Sequence, residues 1–234
     1  FSPIIMNMMY LSPSLRREFL DNILINTYPE YDKILREYKK IVKSRNKLLK
    51  NISEWKSEKN EIVFWDKLFV SNAVQVYKYR LKIIKNIEKN IDDFLWIFNW
   101  KVKNISFCYN CKVDIDNVEK SILDYLEKNF DRDIIIKKTP IWPHVDDFDM
   151  LVDDISVVNF ASRWEIKSII LWLKKLEVEF IEKHTWKKPV LIIDDLLSEL
   201  DYNHEKMLLN KLNDYQTFIT SIKEEKNFTN IIRL

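Results

Sequence analysis

Glycine is absent from all 234 residues of this chain. At the usual frequency of about 7% a chain of this length carries about 16 glycines. Every left-handed turn, and every close approach of backbone to a ligand, therefore falls to a residue that has a Cβ. Tryptophan, by contrast, occurs eight times, and three of its positions are polar and turn-like. Trp142 precedes Pro143-His144, Trp164 lies in Ser162-Arg163-Trp164-Glu165, and Trp186 lies in Thr185-Trp186-Lys187-Lys188-Pro189. Turn chemistry asks for glycine at such places, and an indole fits them poorly. The pattern is that of a gene in which UGA encodes glycine, translated here as tryptophan; the other reading is a glycine-poor protein with divergent motifs. Trp65 sits in an amphipathic helical pattern and reads as a true tryptophan.

Other absences narrow the class. No apolar run approaches the roughly 18 residues a membrane helix needs, and no signal-peptide pattern opens the chain. Two cysteines without a secretory signal point to a reducing cytoplasm. Cys108 and Cys111 form a C-x-x-C, but a four-ligand zinc site would need a second pair, so they read as two thiols at a strand end. Neither sign of charge dominates: 38 basic residues face 36 acidic ones, net +2, so a case for nucleic acid has to be local. No G-x-x-x-x-G-K-[ST] phosphate loop is present, even with each tryptophan read as glycine. The chain begins without Met inside an apolar stretch, and Ile4 to Leu11 reads as a strand; a fragment is the expectation.

What is there centres on Pro189 to Asp201. Val190 to Ile193 is a short apolar run between a proline and paired acids, the pattern of a fully buried central strand of an α/β sheet. Asp194 and Asp195 fall at its carboxyl end, where open α/β sheets place ligands. Such carboxylates need a cation, a proton or a hydrogen-bond partner. Taken alone, this is also how a strand end with an acidic turn reads. Ser198-Glu199-Leu200-Asp201 follows directly. Upstream, Ser162 and Glu165 form a capping box that opens a helix with Ile166, Ile169, Ile170, Leu173, Leu176 and Phe180 inward. A capped helix N-terminus also offers backbone N–H groups and a dipole to a phosphate.

The first third is helical and basic. Leu15, Phe19, Ile23 and Leu24 share one face of a helix entered at Pro13. From Tyr31 to Ile52 a second helix turns Ile34, Leu35, Tyr38, Ile41, Val42, Leu48 and Leu49 inward. Between Lys33 and Lys50 it carries Lys33, Arg36, Lys39, Lys40, Lys43, Arg45, Lys47 and Lys50 against the single acid Glu37. A return helix over 61–98 has Tyr77, Leu81, Ile84, Ile91 and Leu95 as its seam, with Lys78, Lys82, Lys85 and Lys89 as a second basic line. Both basic faces are also what ordinary solvated helix surface looks like. No aromatic residues interleave with them as a base-stacking groove requires. A strand over 102–109 and a helix over 116–129 follow.

Four ordered segments carry a resemblance: Leu11-Ser12-Pro13-Ser14-Leu15-Arg16-Arg17, Pro143-His144-Val145-Asp146-Asp147, Ser162 to Glu165, and Asp194-Asp195-x-x-Ser198-Glu199-Leu200-Asp201. Together they resemble the RecF family of bacterial DNA gap-repair ATPases, of the ABC type. Relatives carry glycine at 142, 164 and 186, and an arginine where Val145 stands, a departure that no codon explains. The resemblance implies an α/β fold: a partial ABC-type (P-loop NTPase) head over 1–12 and 101–234, lacking its N-terminal lobe, with an antiparallel helical arm inserted over 13–100. Other DNA-repair heads of the SMC-like kind have far longer coiled coils.

The same resemblance implies roles. Asp194 holds Mg²⁺ through water and Asp195 polarises the attacking water. Ser162, Arg163, Trp164 and Glu165 form the signature that meets, in trans, the γ-phosphate of ATP on a second head. Ser198 and Asp201 belong to the D-loop, and Thr220 is the switch residue. Arg16, Arg17, Lys39, Lys43, Arg45, Lys78 and Lys82 are the DNA-binding candidates. The implied activity is ATP-dependent binding of DNA at single-strand gaps and junctions by a homodimer, loading recombinase with RecO and RecR partners. The rival expectation is a non-catalytic helical scaffold whose head only dimerises.

Overall fold

The computed structural model describes residues 5–98, 104–140, 143–194 and 214–221. They fall into two compact units, Leu11–Phe160 and Phe1–Tyr10 with Ala161–Leu234. In the first, α1 (Pro13–Thr27) and α2 (Pro29–Ser53) are separated by Tyr28 alone. Pro29 pushes the residue before it out of the helical region, and Tyr28 is extended at φ −124°, ψ 105°. Then come α3 (Ile62–Lys89) and α4 (Ile91–Phe98). The expected single helix over 61–98 is thus broken at Asn90. There the side-chain amide donates to Asn86 O at 2.6 Å and the backbone N–H bonds Ile87 O, the local competition that makes Asn a poor helix-interior residue.

The sheet of this unit is antiparallel: β1 (Ile105–Asn110), β2 (Asp147–Val152) and β3 (Ile155–Ser156), with Ile105 opposite Val152 and Asn110 opposite Asp147. The β2–β3 turn uses Asp153 and Asp154 at φ 48° and 63°, a two-residue hairpin made with residues that tolerate the left-handed region. Alternation along β2 buries Phe148, Met150 and Val152. Phe148 meets Phe107 of β1 and Phe19 of α1, with centroids 5.1 and 6.4 Å apart. Between β1 and β2 runs α5 (Val118–Ile136), a turn and a half longer than its pattern suggested, packed on α2 and α3.

In the second unit the chain does not make the expected strand at its start. Ile5–Asn7 is a 3-10 turn packed on α6 (Arg163–Thr185), and turns bury Met8 and Met9. A short apolar run carries no period that separates strand from turn. Strand β4 (Leu191–Asp194) pairs in parallel with β5 (Thr217–Thr220), Asp194 opposite Thr220. The strand expected to be buried on both faces is buried on one: Leu191 and Ile193 are covered, while Ile192 is 63% exposed. Among the described residues β4 pairs with β5 alone.

Candidate functional site

Ser162 caps α6 as its sequence predicts. Its Oγ accepts from the Glu165 N–H at 3.3 Å, and the Glu165 carboxylate accepts from the Ser162 N–H at 2.7 Å. Both bonds hold the first turn, so the cap and the dipole end are present whatever binds there. Trp164 lies in helical backbone just inside this cap, 43% exposed, with the Lys167 ammonium 5.0 Å from its ring centroid. The glycine expected at 164 would therefore be a matter of room at the helix end, not of φ.

At the carboxyl ends of the parallel pair, Thr220 donates its hydroxyl to Asp194 Oδ1 at 2.8 Å. Register produces this contact, because strand partners place both side chains at the same edge. Asp195, Ser198 and Asp201, along with Trp142, lie outside the described residues. No group of three or more His, Cys, Asp or Glu forms a metal cluster among the described residues.

The Pro143 to Asp147 segment is a fastening point. His144 is pushed down to a pKa of about 4, chiefly by burial, and the Arg17 and Arg80 charges oppose its protonation. Its Nε2 lies 3.1 Å from the Thr139 carbonyl, which can only accept, so Nε2 carries the proton and Tyr38 donates to Nδ1 at 2.7 Å. Asp146 accepts from the Tyr109 hydroxyl at 2.9 Å, its backbone carbonyl accepts from Arg17, and burial raises its carboxyl. Arg16 grips Asp147 through two nitrogens at 2.7 and 2.8 Å and also donates to Leu11 O.

Two buried arginines that sequence reasoning missed or misplaced complete this network. Arg80 of α3 holds Asp21 of α1 through Nε and Nη2 and donates to the Pro143 carbonyl, while Tyr31 donates to the same Asp21. Arg45 of α2, one of the expected DNA-binding residues, is 0% exposed. It binds Asp66 at 2.7 Å, Asp133 at 3.1 Å and Thr139 at 2.7 Å. A guanidinium enclosed this way cannot reach a nucleic-acid phosphate, so Arg45 leaves the DNA-contact set. Arg16 leaves it for the same reason, since Asp147 and Leu11 occupy its guanidinium inside the fold. The signal was present: Tyr38, Arg45, Leu49 and Ile52 keep one helical phase, as do Tyr77, Arg80 and Ile84.

The lysines behave as expected of a basic face. Lys33, Lys39, Lys40, Lys43, Lys47 and Lys50 are exposed on α2, and Lys78, Lys82, Lys85 and Lys89 on α3. Aromatic rings do accompany one of them: the Lys82 ammonium lies 4.4 and 4.8 Å from the ring centroids of Tyr28 and Tyr79. Cys108 and Cys111 are separate thiols, raised by burial and hydrogen-bonded locally. No described helix is long and apolar enough to cross a membrane.

No family model matches the chain. Among curated proteins it is 34% identical over 241 residues to the DNA replication and repair protein RecF of Ruminiclostridium cellulolyticum, covering 99% of this chain and 64% of that protein. It is 36% identical over 229 residues to RecF of Clostridium botulinum, covering 94% and 60%. Among solved structures, the recombination mediator protein RecF with ATP, of the RecFOR pathway, superposes with a TM-score of 0.84 at 26% identity, over 97% of this chain and 62% of that one. The chain thus spans less than two thirds of the length of the proteins it matches. Its mixed helix-and-sheet fold is that of part of an ABC-type ATPase head.

Proposed function

We propose that this chain, RecF-like along nearly its whole length, supplies the signature helix, the Walker B strand and the helical arm of an ATPase that binds DNA under the control of ATP. The observation that carries the proposal is the Asp194–Thr220 hydrogen bond at the carboxyl ends of adjacent parallel strands. A nucleotide-bound Mg²⁺ fits Asp194. It is an exposed carboxylate at a strand end, and Mg²⁺ takes one or two carboxylates plus water and substrate phosphates. The ion would neutralise phosphate charge as the γ-phosphoryl group leaves.

The chain's own residues divide the remaining work. Asp195 orients and polarises the attacking water, and Thr220, tied to Asp194, reports whether a γ-phosphate is present. Ser162, Arg163 and Glu165 present the α6 N-terminus to ATP held by a second copy. Ser198 and Asp201 form the D-loop at that junction. ATP is then the link of a homodimer, and slow hydrolysis acts as a timer.

The α2–α3 pair is the arm. Lys39, Lys43, Lys50, Lys78, Lys82 and Lys85 contact backbone phosphates at single-strand gaps and duplex junctions, in the cytoplasm. There the protein promotes recombinase loading with RecO and RecR. The test is a chain of RecF length, measured for ATP-dependent dimerisation by sedimentation and for binding to gapped against intact duplex DNA. Dimerisation with ATP and preference for the gap support the proposal. A protein that dimerises equally without ATP is the non-catalytic scaffold instead.

A further inference from the structure

Two helices of this protein stop on a left-handed tryptophan, where a side chain is least wanted. At the end of α2, the Lys56 N–H bonds Asn51 O at 2.9 Å and the Trp55 N–H bonds Ile52 O at 3.1 Å. This pair of bonds is the Schellman motif, whose first residue past the cap is left-handed and usually glycine. Trp55 occupies that position at φ 60°. At the end of α6, the Trp186 N–H bonds Glu182 O at 2.8 Å, with Trp186 at φ 57°. That single bond is the simpler left-handed helix stop, again a glycine position.

The indoles gain nothing to offset the backbone cost. Trp55 is 96% exposed and Trp186 91%, so neither buries the large apolar surface for which tryptophan is otherwise placed. Five described residues have positive φ: these two, Lys137, Asp153 and Asp154. Aspartate tolerates the left-handed region, and Lys137 shows that a helix end here can do without glycine. Tryptophan is eight of 234 residues yet two of these five, in a chain with no glycine. Trp65 behaves oppositely, packing on the Leu48, Leu49, Ile52 and Ile62 cluster.

We infer that positions 55 and 186 are glycine in the native protein, because a codon written here as tryptophan is read as glycine where the protein is made. Sequence context had singled out Trp186, whereas Trp55 sits in an unremarkable polar stretch and is identified by its hydrogen bonds and backbone angle. The inference stands on helix-end geometry, so it survives or fails independently of the ATPase proposal.

Peptide sequencing by tandem mass spectrometry on the native protein, isolated from its own cells, tests it directly. Glycine is expected at 55 and 186 and tryptophan at 65; tryptophan at 55 or 186 overturns the inference. A second measurement uses the chain expressed as written. Trp55→Gly with Trp186→Gly should raise Tm by roughly 2–4 °C for each position, the shift that relief of a left-handed non-glycine residue produces at this size. An unchanged or lower Tm in the double variant counts against it.

Discussion

The Thr220 hydroxyl donates to Asp194 Oδ1 at 2.8 Å, joining two residues 26 apart in sequence through the register of one parallel strand pair. A carboxylate that binds a metal and a hydroxyl that senses a phosphate would each respond to the other's occupancy through this bond. Thr220→Val removes the donor and leaves the shape. In a chain of RecF length it should lower ATP hydrolysis by about tenfold or more, the scale of losing one positioned catalytic hydrogen bond. Thr220→Ser should restore it. Unchanged hydrolysis in the valine variant would assign the hydrogen bond to folding alone.

Asp195→Asn in the same chain should abolish hydrolysis while sparing ATP-driven dimerisation. Asp194 would still hold the ion, and only the group that polarises water would be removed. Turnover measured beside sedimentation with ATP separates the two, and equal loss of both would make Asp195 a ligand or a structural residue.

The lysine faces predict a sequence-independent, salt-sensitive interaction. Reversing Lys39, Lys43 and Lys50 to Glu should weaken binding to DNA of any sequence. It should also flatten the salt dependence, by about 0.9 in logarithmic slope for each phosphate no longer neutralised. Titrations at several salt concentrations read both effects. Lysines that only keep the arm soluble would leave affinity and slope where they were.

Arg45 should act on stability. Arg45→Met strands Asp133, itself 0% exposed and already raised by burial. Breaking a buried pair this way costs roughly 3–5 kcal/mol, whereas Lys43→Met on the same helix should change little. Denaturant unfolding of the two variants is the comparison, and similar midpoints would mean that Arg45 is not the anchor its partners indicate.

His144 sets a pH dependence. Its pKa is about 4 in the fold, against 6.5 for an unperturbed imidazole. The unfolded chain therefore binds more protons between those values, and stability falls as pH drops from about 6.5 to about 4. The loss is at most roughly 3–4 kcal/mol. Asp146, raised by burial, contributes with the opposite sign, so the test is a difference: His144→Gln should flatten the decline in unfolding free energy over that window. An unaltered profile would show that another group titrates there.

Much of this was legible in the sequence because it is local. The capping box needs only Ser162 and Glu165 three residues apart, the α6 core needs only its period, and Pro13 marks a helix start through its own ring. Local chemistry also marked Asp194 as a strand end, whereas Thr220 was singled out by the family resemblance alone. What it could not supply is the partner. A charged residue reads the same on a solvated face and in a buried pair until the chain segment opposite it is known. Arg45 therefore passed for surface although its phase matched the core, and Arg80 and Asp21 drew no notice. Only the tertiary structure brings Asp133 to Arg45 and Asp21 to Arg80, from 88 and 59 residues away. It likewise decides which face of β4 is covered and which tryptophans stand in left-handed backbone, since burial and φ are set by the segments that pack and end there rather than by residue type.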